Sequence, residues 1–202
     1  MTEILASLPT DLNILNVKLL GNPLPQNVLI REGYVSEIIP YNSRQLGSEE
    51  ERIDGEGDWL TLGGYDLQIN GVLGLAFTDV QNKHLPLLKK ICTFLWQQGV
   101  DAFVPTIVTT SVEKIQESLS VFKTFMTEQT EGVFAELNLP QAKVLVIHLE
   151  GPFLNVEKRG AHPSQYLLPL TIDNVKKVLG DYTNLIKIIT LAPELDPSGD
   201  VI

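Results

Sequence analysis

Over the first sixty residues apolar and polar positions change over short distances, and from Thr61 onward they follow a longer rhythm. DLNILNVKLL (11–20) is rich in apolar, β-capable residues and predicts a strand, with GNPLPQ (21–26) as a break. NVLIREGYVSEII (27–39) predicts a hairpin turning at Glu32-Gly33. The polar, glycine-containing stretch NSRQLGSEEERIDGEGD (42–58) predicts a loop or a short strand near Ile53. Residues 1–60 carry too few apolar positions for a core of their own. Their strands are expected to pair with others.

From Thr61 strands and helices alternate. TLGGYDLQIN (61–70) predicts a strand, and NKHLPLLKKICTFLWQQG (82–99) a helix with Leu88, Ile91, Phe94 and Leu95 on one face. DAFVPTIVTT (101–110) predicts a second strand. The run Thr110-Ser111-Val112-Glu113 has capping-box spacing, opening a helix with Ile115, Leu119, Phe122 and Met126 aligned. KVLVIHLE (143–150) is apolar enough for a strand buried on both faces. TIDNVKKVLG (171–180) predicts a short helix with a glycine stop, and IKIITLAPE (186–194) a fourth strand.

Each of these strands turns polar at its C-terminal end. Gln68, Thr109, Glu150 and Glu194 mark those ends at intervals of 41, 41 and 44 residues. A parallel α/β barrel carries its chemistry at that end, and a doubly wound open sheet binds ligands there too. The expected fold is therefore α/β, the first half of a (β/α)8 TIM barrel over residues 61–202. Four strand–helix units are half of what closure requires. Residues 1–60 are expected to form part of a separate small β-domain.

Composition narrows the chemistry. A formal net charge of -10 over 202 residues argues against a broad basic surface, and so against nucleic acid as a partner. A single cysteine, Cys92, rules out an internal disulfide or a multi-cysteine zinc site, and its amphipathic surroundings place it in the core. No apolar run reaches the roughly 18 residues of a membrane span, and the start lacks a basic flank followed by a long apolar run. A cytoplasmic location is the expectation. GxSxG, P-loop and GxGxxG contexts are absent, so nothing supports serine-nucleophile or nucleotide chemistry.

Polar residues at the strand ends supply the candidates. Gln68 and Asn70 sit two apart and share a side of their strand, either satisfying loop backbone or meeting a substrate. Neutral amides are poor zinc ligands. His148 and Glu150 repeat the spacing: His148 follows an apolar run and reads as buried and hydrogen-bonded. Glu150 reads equally as a solvated acid or as one oxygen ligand of a divalent metal. Lys158-Arg159-Gly160-Ala161-His162 reads as a loop in which glycine permits close approach and His162 can meet a sugar hydroxyl or an oxyanion. The basic pair alone reads as a solvated loop. His84, at a helix start, reads as surface.

GGYDLQINGVLGLAFTDV, VPTIVTT, HLEGPFLNVEKRGAHP and ITLAPE, in that order over residues 63–194, resemble the N-terminal half of the N-acetylglucosamine-6-phosphate deacetylases of the amidohydrolase superfamily. The pair HLEGPF and KRGAHP is the specific part. This resemblance implies a TIM barrel flanked by a small β-sandwich built from both chain ends. It implies Glu150 as ligand to one divalent metal, zinc or iron, and Ala161 and His162 as contacts to a phosphorylated N-acetyl amino sugar. Many superfamily members carry His-x-His where Gln68 and Asn70 stand, so the resemblance is to the single-metal branch. Gly63-Gly64 replaces the usual Pro-Gly. The two histidine ligands and the catalytic aspartate of the family are expected beyond Ile202, with no catalytic residue among these 202. An isolated chain of this length is expected to be inactive and, with open sheet edges, prone to form a homo-oligomer. A different amidohydrolase acting on cyclic amides or peptides and a non-catalytic half-barrel are the alternatives.

Overall fold

A computed structural model describes residues 11–43, 51–131 and 140–202. The chain divides into two compact units, 1–62 and 63–202. Residues 44–50, within the expected polar loop, lie outside the described residues, as do residues 1–10 at the start of the chain.

The first unit is a small sheet. Strands β1 (Leu12–Leu19), β2 (Asn22–Arg31) and β3 (Tyr34–Pro40) pair antiparallel in succession. Glu32 and Gly33 form the predicted turn with φ of 52° and 79°, the mirror-image geometry that suits the twist of a hairpin. GNPLPQ does not break the sheet as expected. Only Leu20-Gly21 turns, and β2 starts again at Asn22. Between the pairs Val17↔Gln26 and Leu19↔Asn22 the register shifts, because β2 has surplus residues there. Pro23 and Pro25 fall within that irregular stretch, where a missing N–H breaks no regular ladder. The other edge of β1 takes two short parallel strands, β4 (Arg52–Asp54), expected near Ile53, and β5 (Trp59–Leu60), which was not. One face of this sheet is an apolar concavity of about 890 Å³, lined by Ile14, Val28, Ile30, Ile38, Trp59 and Leu62 among others.

The second unit is a parallel sheet with helices between its strands. Strand β6 (Gly64–Ile69) is followed by a small hairpin, β7 (Gly71–Val72) and β8 (Leu75–Ala76), then by helix α1 (Leu85–Gln97). Strand β9 (Val100–Val108), helix α2 (Val112–Glu131), strands β10 (Lys143–Val144) and β11 (Ile147–Glu150), helix α3 (Ile172–Leu179) and strand β12 (Ile186–Thr190) complete it. Strand β9 pairs parallel with β6, β10 and β11, and β11 pairs parallel with β12. The expected continuous strand KVLVIHLE is thus interrupted between Val144 and Ile147. The expected fourth strand ends at Thr190, and Glu194 lies past it in a 3-10 turn.

Helix faces follow their periodicity with two corrections. On α1 the buried face is Leu88, Ile91, Cys92 and Leu95, the i, i+3, i+4, i+7 stripe. Phe94 falls beside that stripe and is exposed. On α2, Ile115, Leu119 and Phe122 are buried and Met126 packs against them as expected. Ser111, rather than Thr110, caps this helix, its Oγ accepting the Lys114 N–H at 3.3 Å. The core centres on Phe77, whose ring lies 6.0 Å from Phe103 and meets Phe122 edge-on at 5.5 Å. Phe77 follows the β7–β8 hairpin and joins it to both the sheet and α2.

Cys92 is fully buried, and burial pushes its thiol up to about 12. We expect it to resist iodoacetamide in the native chain at mildly alkaline pH and to be alkylated once denaturant is added, as read by mass spectrometry. Phe122→Ala should cost about 3–5 kcal/mol of stability, read from the shift of the urea midpoint.

Candidate active site

The C-terminal ends of the parallel strands lie level because of their register. Glu150 stands opposite Val108 on β9 and Thr190 on β12, while His148 stands opposite Thr106. His148, 3% exposed, is held at both ring nitrogens, Nδ1 to Thr106 Oγ1 at 3.1 Å and Nε2 to Thr190 Oγ1 at 2.8 Å. Burial lowers its pKa and the Glu150 charge opposes that shift only in part. This is the buried, hydrogen-bonded histidine read from the apolar run before it.

Two residues beyond His148, Glu150 leaves the core and turns its carboxylate to the mouth. Gln68 Nε2 donates to Glu150 Oε2 at 3.1 Å, joining the end of β6 to the end of β11 across 82 residues of sequence. His162 Nε2 lies 3.5 Å from Glu150 Oε1. The other nitrogen, Nδ1, lies 2.8 Å from Thr109 Oγ1. Thr109 is buried, and its hydroxyl also reaches the Glu150 carbonyl oxygen at 3.2 Å. Gly151 makes room for that hydroxyl. Its φ is +81°, and a Cβ there would sit 2.1 Å from Thr109 Oγ1.

The loop carrying His162 is closed by its own arginine. Arg159 Nη1 donates to the His162 carbonyl at 2.6 Å, and the His162 N–H donates back to the Arg159 carbonyl at 3.2 Å. Beyond the cavity lining, Asn155 Nδ2 donates to Glu194 Oε1 at 2.9 Å, which holds the Glu194 carboxyl below the ordinary range. A cavity of about 600 Å³ opens beside Glu150 and the His162 loop, lined by Asn70, Glu150, Lys158, Ala161, His162 and Thr190 with their neighbours.

Gln68, Asn70, Glu150, Ala161 and His162 therefore come together, Gln68 through its bond to Glu150 and the others on the cavity wall. His84 stays apart, half-buried at the start of α1, where its Nδ1 accepts the Gln81 N–H at 3.0 Å. Thr109 and Thr190 were not picked out as members of the site. The clue to both was their place at strand ends, the same clue that marked Glu150. Among the described residues no group of three or more His, Cys, Asp or Glu is placed to hold a metal ion. Glu150 and His162 form a pair of donors, one short of the three protein ligands of a catalytic zinc.

An acid, an amide and an imidazole gathered at the C-terminal ends of parallel strands define an α/β protein with a candidate ligand site at that end of its sheet. No family model matches the chain. It is 33% identical over 203 residues to the N-acetylglucosamine-6-phosphate deacetylase of Rattus norvegicus, covering 98% of this chain and 47% of that protein. To the enzyme of the same name from Caenorhabditis elegans it is 30% identical over 209 residues, covering 100% of this chain and 47% of that one. The crystal structure of N-acetylglucosamine-6-phosphate deacetylase from Pasteurella multocida superposes with a TM-score of 0.67 at 25% identity, over 91% of this chain and 45% of that chain. The chain is a homologue of the N-acetylglucosamine-6-phosphate deacetylases. It spans about half the length of the curated relatives it matches.

Replacing His148 by Ala would leave the hydroxyls of Thr106 and Thr190 without their shared partner. We expect a loss of about 2–3 kcal/mol, read as the change in unfolding free energy from urea titration.

Proposed function

We propose that this chain carries part of the active site of a hydrolase that removes the acetyl group from N-acetylglucosamine 6-phosphate, giving glucosamine 6-phosphate and acetate. The observation that carries the reading is the cluster of Gln68, Glu150 and His162 at one end of the parallel strands, in a chain homologous to enzymes of that name. In this reading the second unit is the first half of a (β/α)8 barrel. Its support is strand order: β6, β9, β11 and β12 lie side by side in chain order, all parallel, with none of the reversal that marks a doubly wound sheet. Strands β1 to β5 are then part of a small β-domain.

Residue roles follow from position. His162 and Ala161, on the cavity wall, contact the amino sugar, Asn70 borders it, and Gln68 reaches it through Glu150. Gln68 orients the Glu150 carboxylate without neutralising it, since an amide brings a hydrogen bond but no charge. Glu150 would be one oxygen ligand of a single divalent metal, zinc or iron. Such an ion, when bound, supplies Lewis acidity and lowers the pKa of a bound water. The described residues do not make a full metal site. What these residues do is bind and orient: Glu150 and His162 face the ligand, and Arg159 holds the loop closed around it.

The test is acetate release from N-acetylglucosamine 6-phosphate by the protein isolated from its source cells. Activity is expected there, and Glu150→Gln should lower it by more than about 100-fold, beyond what loss of a supporting partner costs. The pure 202-residue chain should release none with zinc added. Absence of activity in the native protein would overturn the proposed reaction, and turnover by the isolated chain would overturn the shared-site part of it.

A further inference from the structure

We propose that Glu194, acting through Asn155, is a positioning residue for the loop that forms one wall of the strand-end cavity. Strands β11 and β12 end at Glu150 and Thr190, but the two segments stay linked past those ends. The Gly151 N–H donates to the Thr190 carbonyl at 2.9 Å, and the Ala192 N–H to the Phe153 carbonyl at 2.8 Å. Asn155 Nδ2 to Glu194 Oε1, at 2.9 Å, is the third link. All three join residues 39 apart in the sequence. Side chains make the third link because the backbone leaves the ladder there. Pro193 has no N–H, and the chain turns away in the 3-10 turn Pro193–Leu195.

The amide of Asn155 is oriented from both sides. Its oxygen accepts the Glu157 N–H at 3.0 Å, so its nitrogen is the end that faces the Glu194 carboxylate. The Asn155 carbonyl takes the Lys158 N–H, also at 3.0 Å. One residue therefore starts the turn 155–158 and ties it to the end of β12. From this turn the chain runs through Lys158, Arg159, Gly160, Ala161 and His162, all on the cavity wall. Glu194 is not part of that lining, so it acts on the cavity only through where it holds Asn155. Glu194 is also exposed, and its bond competes with water. The bond therefore bears on where the loop sits and little on global stability.

That this wall meets an amino sugar rests on the function proposed above, but the tie itself does not. Between Gly151 and Val175 trypsin has two sites, after Lys158 and after Arg159. Limited digestion of the folded 202-residue chain, with fragments identified by mass spectrometry, thus reads this loop directly. Glu194→Ala and Asn155→Ala should each speed cleavage there about fivefold, with the urea midpoint unmoved. Glu194→Gln keeps an oxygen for the amide hydrogen and should be cut at the unaltered rate. Changing both residues to alanine should add nothing to either change alone. An unmoved rate in either folded alanine variant, or accelerations that multiply in the double variant, would overturn the proposal. Either alanine variant suffices for that reading should the other not fold. In the native gene product, Glu194→Ala should raise KM for N-acetylglucosamine 6-phosphate about fivefold with kcat held, and Glu194→Gln should restore it. An unchanged KM beside faster digestion would overturn the positioning role as well. A native protein that releases no acetate at all would instead overturn the proposed function, with the digestion result still standing.

Discussion

One imidazole spans three strands. The ring of His148 projects from β11 and is hydrogen-bonded on one side to Thr106 of β9 and on the other to Thr190 of β12. Parallel strands present no side-chain pair directly across a turn to fix their offset, so a buried polar bridge of this kind fixes it instead. With the offset set at His148, the residues just beyond it are set too. Glu150, Thr109 and Thr190 arrive at one level, close enough to share a cavity. A slip of one residue in β11 would turn Glu150 toward the helices and bring Leu149 to the mouth.

Much of this was legible before any coordinates. The four main strands stood out as apolar runs ending in polar residues, and the helix faces stood out by period. Glu150 and His162 were visible because they sit in an unusual stretch, HLEGPFLNVEKRGAHP. The partners of those residues were harder to see. Gln68 bonds to Glu150 over 82 positions and Thr109 to His162 over 53, and the pairing depends on strand register, which no local pattern in the sequence displays. A threonine at a strand end reads the same whether it faces solvent or a histidine. The misplacements were local. Phe94 has the right period for the buried face of α1 but falls at its edge, and two prolines disguised the start of β2 because a register irregularity absorbs them.

The site gathers acceptors beside few neutralising groups. Glu150 receives an amide hydrogen from Gln68 and lies near an imidazole, and neither neutralises it outright unless His162 is charged. A carboxylate left in that state at the mouth of a cavity keeps capacity for a cation or a hydrogen-bearing group. This is a local property, separate from the formal net charge of -10 carried by the whole chain.

The loop that brings His162 to this point is closed by Arg159 folding back on two of its own carbonyls, those of Gly160 and His162. A guanidinium engaged in that way works as a brace. Arg159 thus gives the loop its shape, while both it and Lys158 keep their charge on the cavity wall. A lysine in place of Arg159 would keep the charge and lose the planar fork, so the curvature of this loop depends on the geometry of one cation more than on its charge.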